Sequence, residues 1–319
     1  MSSKDTSSLH WILGAALLLI GLFVVVALVS VNSQADTVNT QTDVTNNAPT
    51  VEDVFINDAA FTFADSYGGG TINTLVAGGQ KSIYITGNAR DTNGRGDIKT
   101  ISAVFYRTAV GDGCSPDSND CYGVASCGTQ NDTEGDLEVL EYSCPINLDY
   151  WADSTDTGGP YAGTTWTVKV NIEDNGGLSG SDSSVTKTMQ TLLALNIPTS
   201  INYGTLSKGQ STTSLNNKTQ TMTQQGNDEA DVEVSSSADM TCTNTGTIPV
   251  ANQEWSLTDE DHSHGSMTDL SGSATDTNLA VGYKTAGDVT VDLYWNIELP
   301  AQDISGTCTG TTTVTAIAA

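Results

Sequence analysis

Basic residues are scarce in this 319-residue chain, where 11 Lys and Arg stand against 38 Asp and Glu and leave a formal charge of −27. A surface of that sign repels a phosphate backbone, and no basic patch interleaved with aromatics occurs, so nucleic acid is not an expected partner. Histidine is nearly missing too: the 3 present are His10, His262 and His264. None has a remote Ser, Cys or carboxylate arranged as a catalytic partner, and nucleophile elbows, phosphate loops and zinc-protease helices do not occur. The chain is therefore not expected to be an enzyme. Close pairs of carboxylates carry no signal here, because among 38 acidic residues some are inevitable. Cys-x-x-Cys pairs, the usual frame of a zinc site, are also lacking. After residue 31 no stretch keeps a 3.6-residue apolar period, which excludes a helical bundle.

One long apolar run does exist, Trp11 to Val31, and it contains no charge. At about 1.5 Å per residue, roughly 20 apolar residues cover the ~30 Å hydrocarbon core of a bilayer. Its length exceeds a usual signal h-region and favours an uncleaved anchor. The exit favours cleavage instead, since Ser33-Gln34-Ala35 is a small-x-small tripeptide followed at once by Asp36, with the cut falling after Ala35. The expected order is a cytoplasmic N-terminus (1–10), a transmembrane helix or signal h-region (11–31), a polar tether (32–48) and two β-sandwich domains (49–194 and 195–319). The bulk then lies outside the cell, held by the helix or, in the alternative, secreted.

Six cysteines, at 114, 121, 127, 144, 242 and 308, are an even number in an exported chain and read as disulfides. Four cluster in the first half, where three connectivities are open. Sequence separation favours Cys114 with Cys121 and Cys127 with Cys144; the last two pair as Cys242 with Cys308.

The folded part alternates short apolar runs with Gly, Asn, Asp and Ser clusters, the signature of antiparallel sheet. Trp166, Val168, Val170 and Ile172 face one way across Thr165 to Asp174, and every odd position from Val289 to Leu299 is apolar. Further strands are expected at Ser82 to Thr86, Thr100 to Arg107, Glu138 to Cys144, Val185 to Leu192, Ala230 to Ser236 and Thr311 to Ile317. Ile201 to Gly209 reads as a strand and turn. Residues 108–137 read as an unpatterned excursion ordered by disulfides. The apolar content of Thr191 to Pro198 predicts a packed junction between the domains.

Asn47-Ala-Pro-Thr-Val51, the run from Gly87 to Ile98 and Trp166-Thr-Val-Lys-Val-Asn-Ile-Glu-Asp-Asn-Gly-Gly177 together resemble immunoglobulin-like modules of prokaryotic surface proteins. Ile201-Asn-Tyr-Gly-Thr-Leu206, Ile248-Pro-Val-Ala-Asn-Gln253, Tyr294-Trp295 and Gly306-Thr-Cys-Thr-Gly-Thr311 resemble a companion module. The combination is similar to two-domain immunoglobulin-like surface or secreted proteins of uncultured, small-genome prokaryotes. The resemblance implies an all-β fold and a surface address, and it carries over no catalytic residue.

Asp91, Asn93 and Asp97 are spaced as oxygen ligands of a calcium loop, and Asp174 sits in a similar Asp-Asn-Gly turn that could approach the same ion. The same sequences are good turn formers without any metal. Arg95-Gly96-Asp97 matches the integrin-read tripeptide, and His262 with His264 forms a His-x-His arm; a plain turn and a solvated loop account for each. Asn131 and Asn217 open glycosylation sequons. Three roles follow: adhesion or envelope structure, a filament subunit donating residues 36–50 as a strand to the next copy, or carbohydrate binding through Tyr150, Trp151 and Tyr161. The implied partners are the membrane through Trp11 to Val31 and a surface ligand or a second copy. Calcium is the one cofactor the pattern admits.

Overall fold

The computed structural model describes residues 39–67, 70–73, 75–117 and 119–319. The chain divides into two units, Met1–Thr45 and Asn46–Ala319. Of the first, residues 39–45 are described; they are exposed and form no regular structure. Trp11 to Val31 and Ala35 lie outside the described residues. Among the described residues, no helix is long and apolar enough to cross a membrane. Regular structure there is all strand apart from two single 3-10 turns, Arg95–Asp97 and Val250–Asn252.

Two sheets face each other within residues 50–189. In one, Gln80–Arg90 and Val139–Asp149 pair antiparallel over 11 residues each, flanked by Thr50–Val51 and Phe55–Asn57 on one side and Gly128–Asn131 on the other. In the second the order is Thr71–Ile72, Thr186–Met189, Trp166–Asp174, Ile98–Arg107, Cys121–Val124, with Ser179–Asp182 also on Trp166–Asp174. Strand alternation decides what goes inside. Ile83, Ile85, Tyr142, Ile146 and Leu148 meet Ile101, Phe105, Trp166, Val168, Val170 and Ile172 in one buried core. Trp166 is fully buried, lies against Phe105 with ring centroids 4.9 Å apart, and donates its indole N–H to the Asp153 carbonyl at 2.8 Å. Gly87 is required by a close approach: a Cβ there would stand 1.8 Å from the Asp53 carbonyl, which accepts the Tyr142 hydroxyl at 2.7 Å.

Residues 195–318 form three further sheets. Leu195–Asn196, Lys218–Gln224, Thr290–Ile297, Gln253–Ser256 and Thr268–Asp269 make a five-stranded one. Ala230–Ser235 pairs Thr275–Asp276 and Thr313–Ala318, and Met240–Cys242 pairs Thr247–Ile248 and Cys308–Thr309. Leu293 and Trp295 enter one cluster with Met222, Val232 and Val234, while Ile297 enters a second with Cys242, Ile248 and Ile304. The Trp295 indole donates to Gln220 Oε1 at 2.9 Å, so this buried N–H is also satisfied.

The disulfides are Cys114–Cys121, Cys127–Cys144 and Cys242–Cys308. Cys242 and Cys308 lie directly opposite each other on paired strands, so this bridge staples one sheet and does not cross a core. Two sequence expectations change. Ile201 to Gly209 makes no strand; Ile201, Tyr203 and Leu206 instead pack as an apolar cover over the second-half clusters without joining a ladder. The excursion 108–137 contains two short strands, Cys121–Val124 and Gly128–Asn131, whose pairing comes from the edges of Ile98–Arg107 and Val139–Asp149. The apolar residues buried there, Cys121, Tyr122 and Cys127, are too few to leave a pattern in the sequence.

The junction is packed. Asn227, 1% exposed, donates to the carbonyls of Ala152 (2.8 Å) and Gln190 (3.0 Å) and accepts the Leu192 amide at 2.7 Å. Gly226 has no room for a side chain, since a Cβ would lie 2.0 Å from the Leu192 carbonyl.

Trp295→Ala empties the largest fully buried side chain of the second-half core and strands Gln220 without its donor. The expected loss is about 3–5 kcal/mol of unfolding free energy, read from denaturant midpoints. A loss below ~1 kcal/mol would show that this indole does not anchor the sheet.

Candidate metal centre

Three carboxylates from separate parts of the sequence converge at one end of the first sandwich. Asp91 follows strand Gln80–Arg90, Asp97 ends the 3-10 turn Arg95–Asp97, and Asp174 is the last residue of Trp166–Asp174. One carboxylate oxygen from each lies within 4.8 Å of the others. The turn that brings them together is tight. The Gly94 amide donates to the Asp91 carbonyl and the Asp97 amide to the Gly94 carbonyl, both at 2.9 Å, and Gly94 takes φ 109°, which glycine adopts without a Cβ penalty. The Asn175 amide donates to the Asp97 carbonyl at 2.9 Å and ties this turn to the one after Asp174.

Two of the three carboxylates are inaccessible, Asp91 at 1% and Asp174 at 0% exposure. Asp174 Oδ1 accepts the Leu178 amide at 2.8 Å and its Oδ2 accepts the Asn46 Nδ2 at 2.9 Å. Asp91 Oδ1 accepts the Asn93 amide at 2.8 Å, whereas its Oδ2 is buried with no hydrogen-bond partner. Among the described ion pairs, none involves Asp91, Asp97 or Asp174. Asn93, the fourth ligand expected from the sequence, accepts the Asn47 amide on its Oδ1 at 2.8 Å.

Sequence reasoning missed Asn46 and Asn47, because they lie before the first strand and look like tether. In the structure they are the contacts by which the incoming chain meets the site. Gly176 and Gly180 make the slot, since a Cβ on either would come within 2.1 Å of Asn46 Nδ2 or 2.0 Å of the Pro49 carbonyl.

The other candidates do not assemble into sites. Arg95 Nη1 donates to the Asp136 carbonyl at 3.0 Å while Asp97 joins the carboxylate cluster, so the two charged ends of the tripeptide are both engaged. His262 Nε2 stands 3.6 Å from Glu254, and His264 Nδ1 the same distance from Glu260, which directs the two imidazoles to different carboxylates. Asn131 is exposed at the end of its strand, and Asn217 donates to Asp259 at 2.6 Å. The three aromatics considered for sugar binding sit at the junction. Lys284 Nζ lies 3.8 Å from the Trp151 ring centre and 5.4 Å from that of Tyr150, while the Arg107 guanidinium covers Tyr161 at 4.0 Å and Tyr283 meets Tyr161 edge-on at 6.2 Å. Lys284 gave no sequence signal, being 133 residues from Trp151 and outside any motif.

No family model and no curated protein matches the chain. Among solved structures, it is similar to the CsuC–CsuE chaperone–tip adhesion subunit pre-assembly complex of the archaic chaperone-usher Csu pili of Acinetobacter baumannii. That likeness has 13% identity and a TM-score of 0.34, covering 77% of this chain and 95% of that one. A chaperone–tip adhesin complex of CFA/I fimbriae biogenesis is similar at 9% identity and a TM-score of 0.26, covering 78% of each chain. At these scores no functional reading is drawn from either.

Another buried carboxylate sits beside the junction. Asp153, 1% exposed, pairs with Arg107 Nε at 2.7 Å through one oxygen, and its other oxygen has no partner. Burial outweighs the guanidinium and raises its pKa to about 6. A carboxyl raised in the fold contributes stability that is full below its unfolded value and declines as pH rises towards 6. Asp153→Asn is therefore expected to flatten the fall in urea midpoint between pH ~4 and ~6. Superimposable midpoint-against-pH curves for the variant and the parent chain would mean that Asp153 is ionised throughout.

Proposed function

We propose that this chain is a non-enzymatic cell-surface protein. Trp11 to Val31 anchors it, and two immunoglobulin-like sandwiches outside the membrane serve adhesion or envelope structure. The observation that carries the reading is cysteine chemistry: all six cysteines are paired in three disulfides and none is free. Such bridges persist in oxidising, extracytoplasmic compartments and are rare in the cytosol. The acidic surface fits the same address, because a net charge of −27 keeps a displayed chain soluble. The packed junction adds a mechanical reason, since Asn227 and the Lys284–Trp151 contact hold the two sandwiches as one body suited to standing off a surface.

In the filament alternative the donated strand is shorter than 36–50. Thr50 and Val51 already pair with Arg90 and Ala89 of the same chain, and Asn46 and Asn47 are bonded to it, which leaves residues 36–45 to reach a neighbour. Sugar binding is disfavoured, because Lys284 and Arg107 occupy the aromatic faces that a sugar ring would need.

The test is the mature N-terminus together with cell fractionation. Protein that begins at Met1, partitions with membranes and is cut by protease added to intact cells supports the anchor. Protein that begins at Asp36 and sediments as long polymers replaces it with the filament. Recovery in the cytosol with reduced thiols overturns the surface reading altogether.

A further inference from the structure

We propose that Asp91, Asp97 and Asp174 bind one calcium ion, and that the ion clamps the point where the N-terminal segment enters the first sandwich. The inference goes beyond the surface reading and does not depend on it.

The spacing matches the ion. Calcium takes oxygen ligands at about 2.3–2.6 Å, so two ligands on opposite sides of it stand roughly 5 Å apart. The three carboxylate oxygens all lie within 4.8 Å of one another. Their chemistry matches as well. An all-oxygen set suits a hard cation, and with no nitrogen or sulfur ligand in the cluster zinc is not favoured. Magnesium demands near-ideal octahedral geometry and keeps its waters, whereas calcium accepts an irregular site completed by carbonyls and water.

The buried Asp91 is the observation that separates this cluster from an ordinary acidic turn. Its Oδ2 is removed from water with no donor, a state that costs free energy unless a cation or a proton satisfies it. No described Lys or Arg pairs with any of the three carboxylates to relieve their mutual repulsion. Meanwhile the two buried carboxylates are also held by backbone and amide donors. The Asn93 amide orients Asp91, and the Leu178 amide with Asn46 Nδ2 orients Asp174, as outer partners orient the ligands of a metal.

The clamp follows from Asn46. It bonds a proposed ligand directly, and the next residue, Asn47, bonds Asn93 within the same turn. An ion that fixes Asp91 and Asp174 therefore also fixes residues 46 and 47, immediately after the exposed residues 39–45. Loss of calcium is expected to free that entry at residues 46 and 47.

The experiment titrates calcium chloride into the full chain, disulfides intact, after removal of divalent ions with a chelator. One saturable site is expected, with a dissociation constant of about 0.1–1 mM, in the range of extracellular modules, and magnesium binding at least ~10-fold more weakly. Asp97→Asn keeps the shape at the least buried of the three ligands, so folding is not at stake there, and it should weaken binding by at least ~10-fold. In the unaltered chain, calcium should slow hydrogen exchange of the Asn47 amide while leaving the Trp295 strand unchanged. Absence of calcium-dependent heat at millimolar ion would overturn the site. Equal binding by Asp97→Asn would too, because ions spread over the acidic surface do not depend on one carboxylate. Binding without protection at Asn47 would overturn the clamp.

Discussion

The hydrogen bond from the Trp166 indole to the Asp153 carbonyl joins the centre of the first core to the loop on which the junction is built. Trp166 is fully buried, and an indole N–H left without an acceptor there would carry the desolvation cost of a lost hydrogen bond. By donating that N–H to the Asp153 carbonyl, the core ties the loop 149–155 to itself. That loop in turn offers the Ala152 carbonyl to Asn227 and sets Tyr150 and Trp151 beneath Lys284. The Asp153 amide donates to the Asn119 carbonyl at 2.9 Å, which ties the same loop to the disulfide-bearing excursion. The cavity cost of losing the indole would therefore spread beyond its own core, to the contacts between the sandwiches.

Cations are so few that their placement is informative. Arg90 reaches Glu52, Asp136 and Glu138, drawing the entry segment and the loop after Gly128–Asn131 to the edge of one strand. Lys187, buried at 6% exposure, pairs with Asp65 and also donates to the Tyr67 carbonyl at 3.2 Å. Exposed pairs contribute little to stability, and buried ones serve geometry more than energy. What the distribution reveals is where no cation was placed. The Asp91, Asp97 and Asp174 cluster has no described Lys or Arg partner although a strand edge only one residue away carries Arg90, and this is the electrostatic reason to assign an ion to it.

Much of the strand pattern was legible. Trp166–Asp174 and Thr290–Ile297 were readable because each has one buried and one wetter face, so the period of two survives in the sequence. The Ile201 to Gly209 segment carried an apolar pattern for a different reason, as a cover over two clusters, and a pattern of burial does not say whether a ladder accompanies it. Three carboxylates of the candidate site were readable from their turn chemistry. The bond from the Asn47 amide to Asn93 Oδ1 was not legible, because spacing along a loop does not show that the entering chain meets the same turn.

The sequence by itself determined that the folded part is all-β and that it is acidic, and it favoured neighbour pairing of its first four cysteines. Alternation, charge and short separation are properties of neighbours in the chain, and so they are visible without a fold. Only the tertiary structure decided that Asp174 lies beside Asp91 and Asp97, that Lys284 covers Trp151, and that Asn46 and Asn47 belong to a site instead of a tether. Each of those facts joins residues tens to more than a hundred positions apart. Strand pairing and close approach at glycine bring such residues together, and no local preference encodes that meeting.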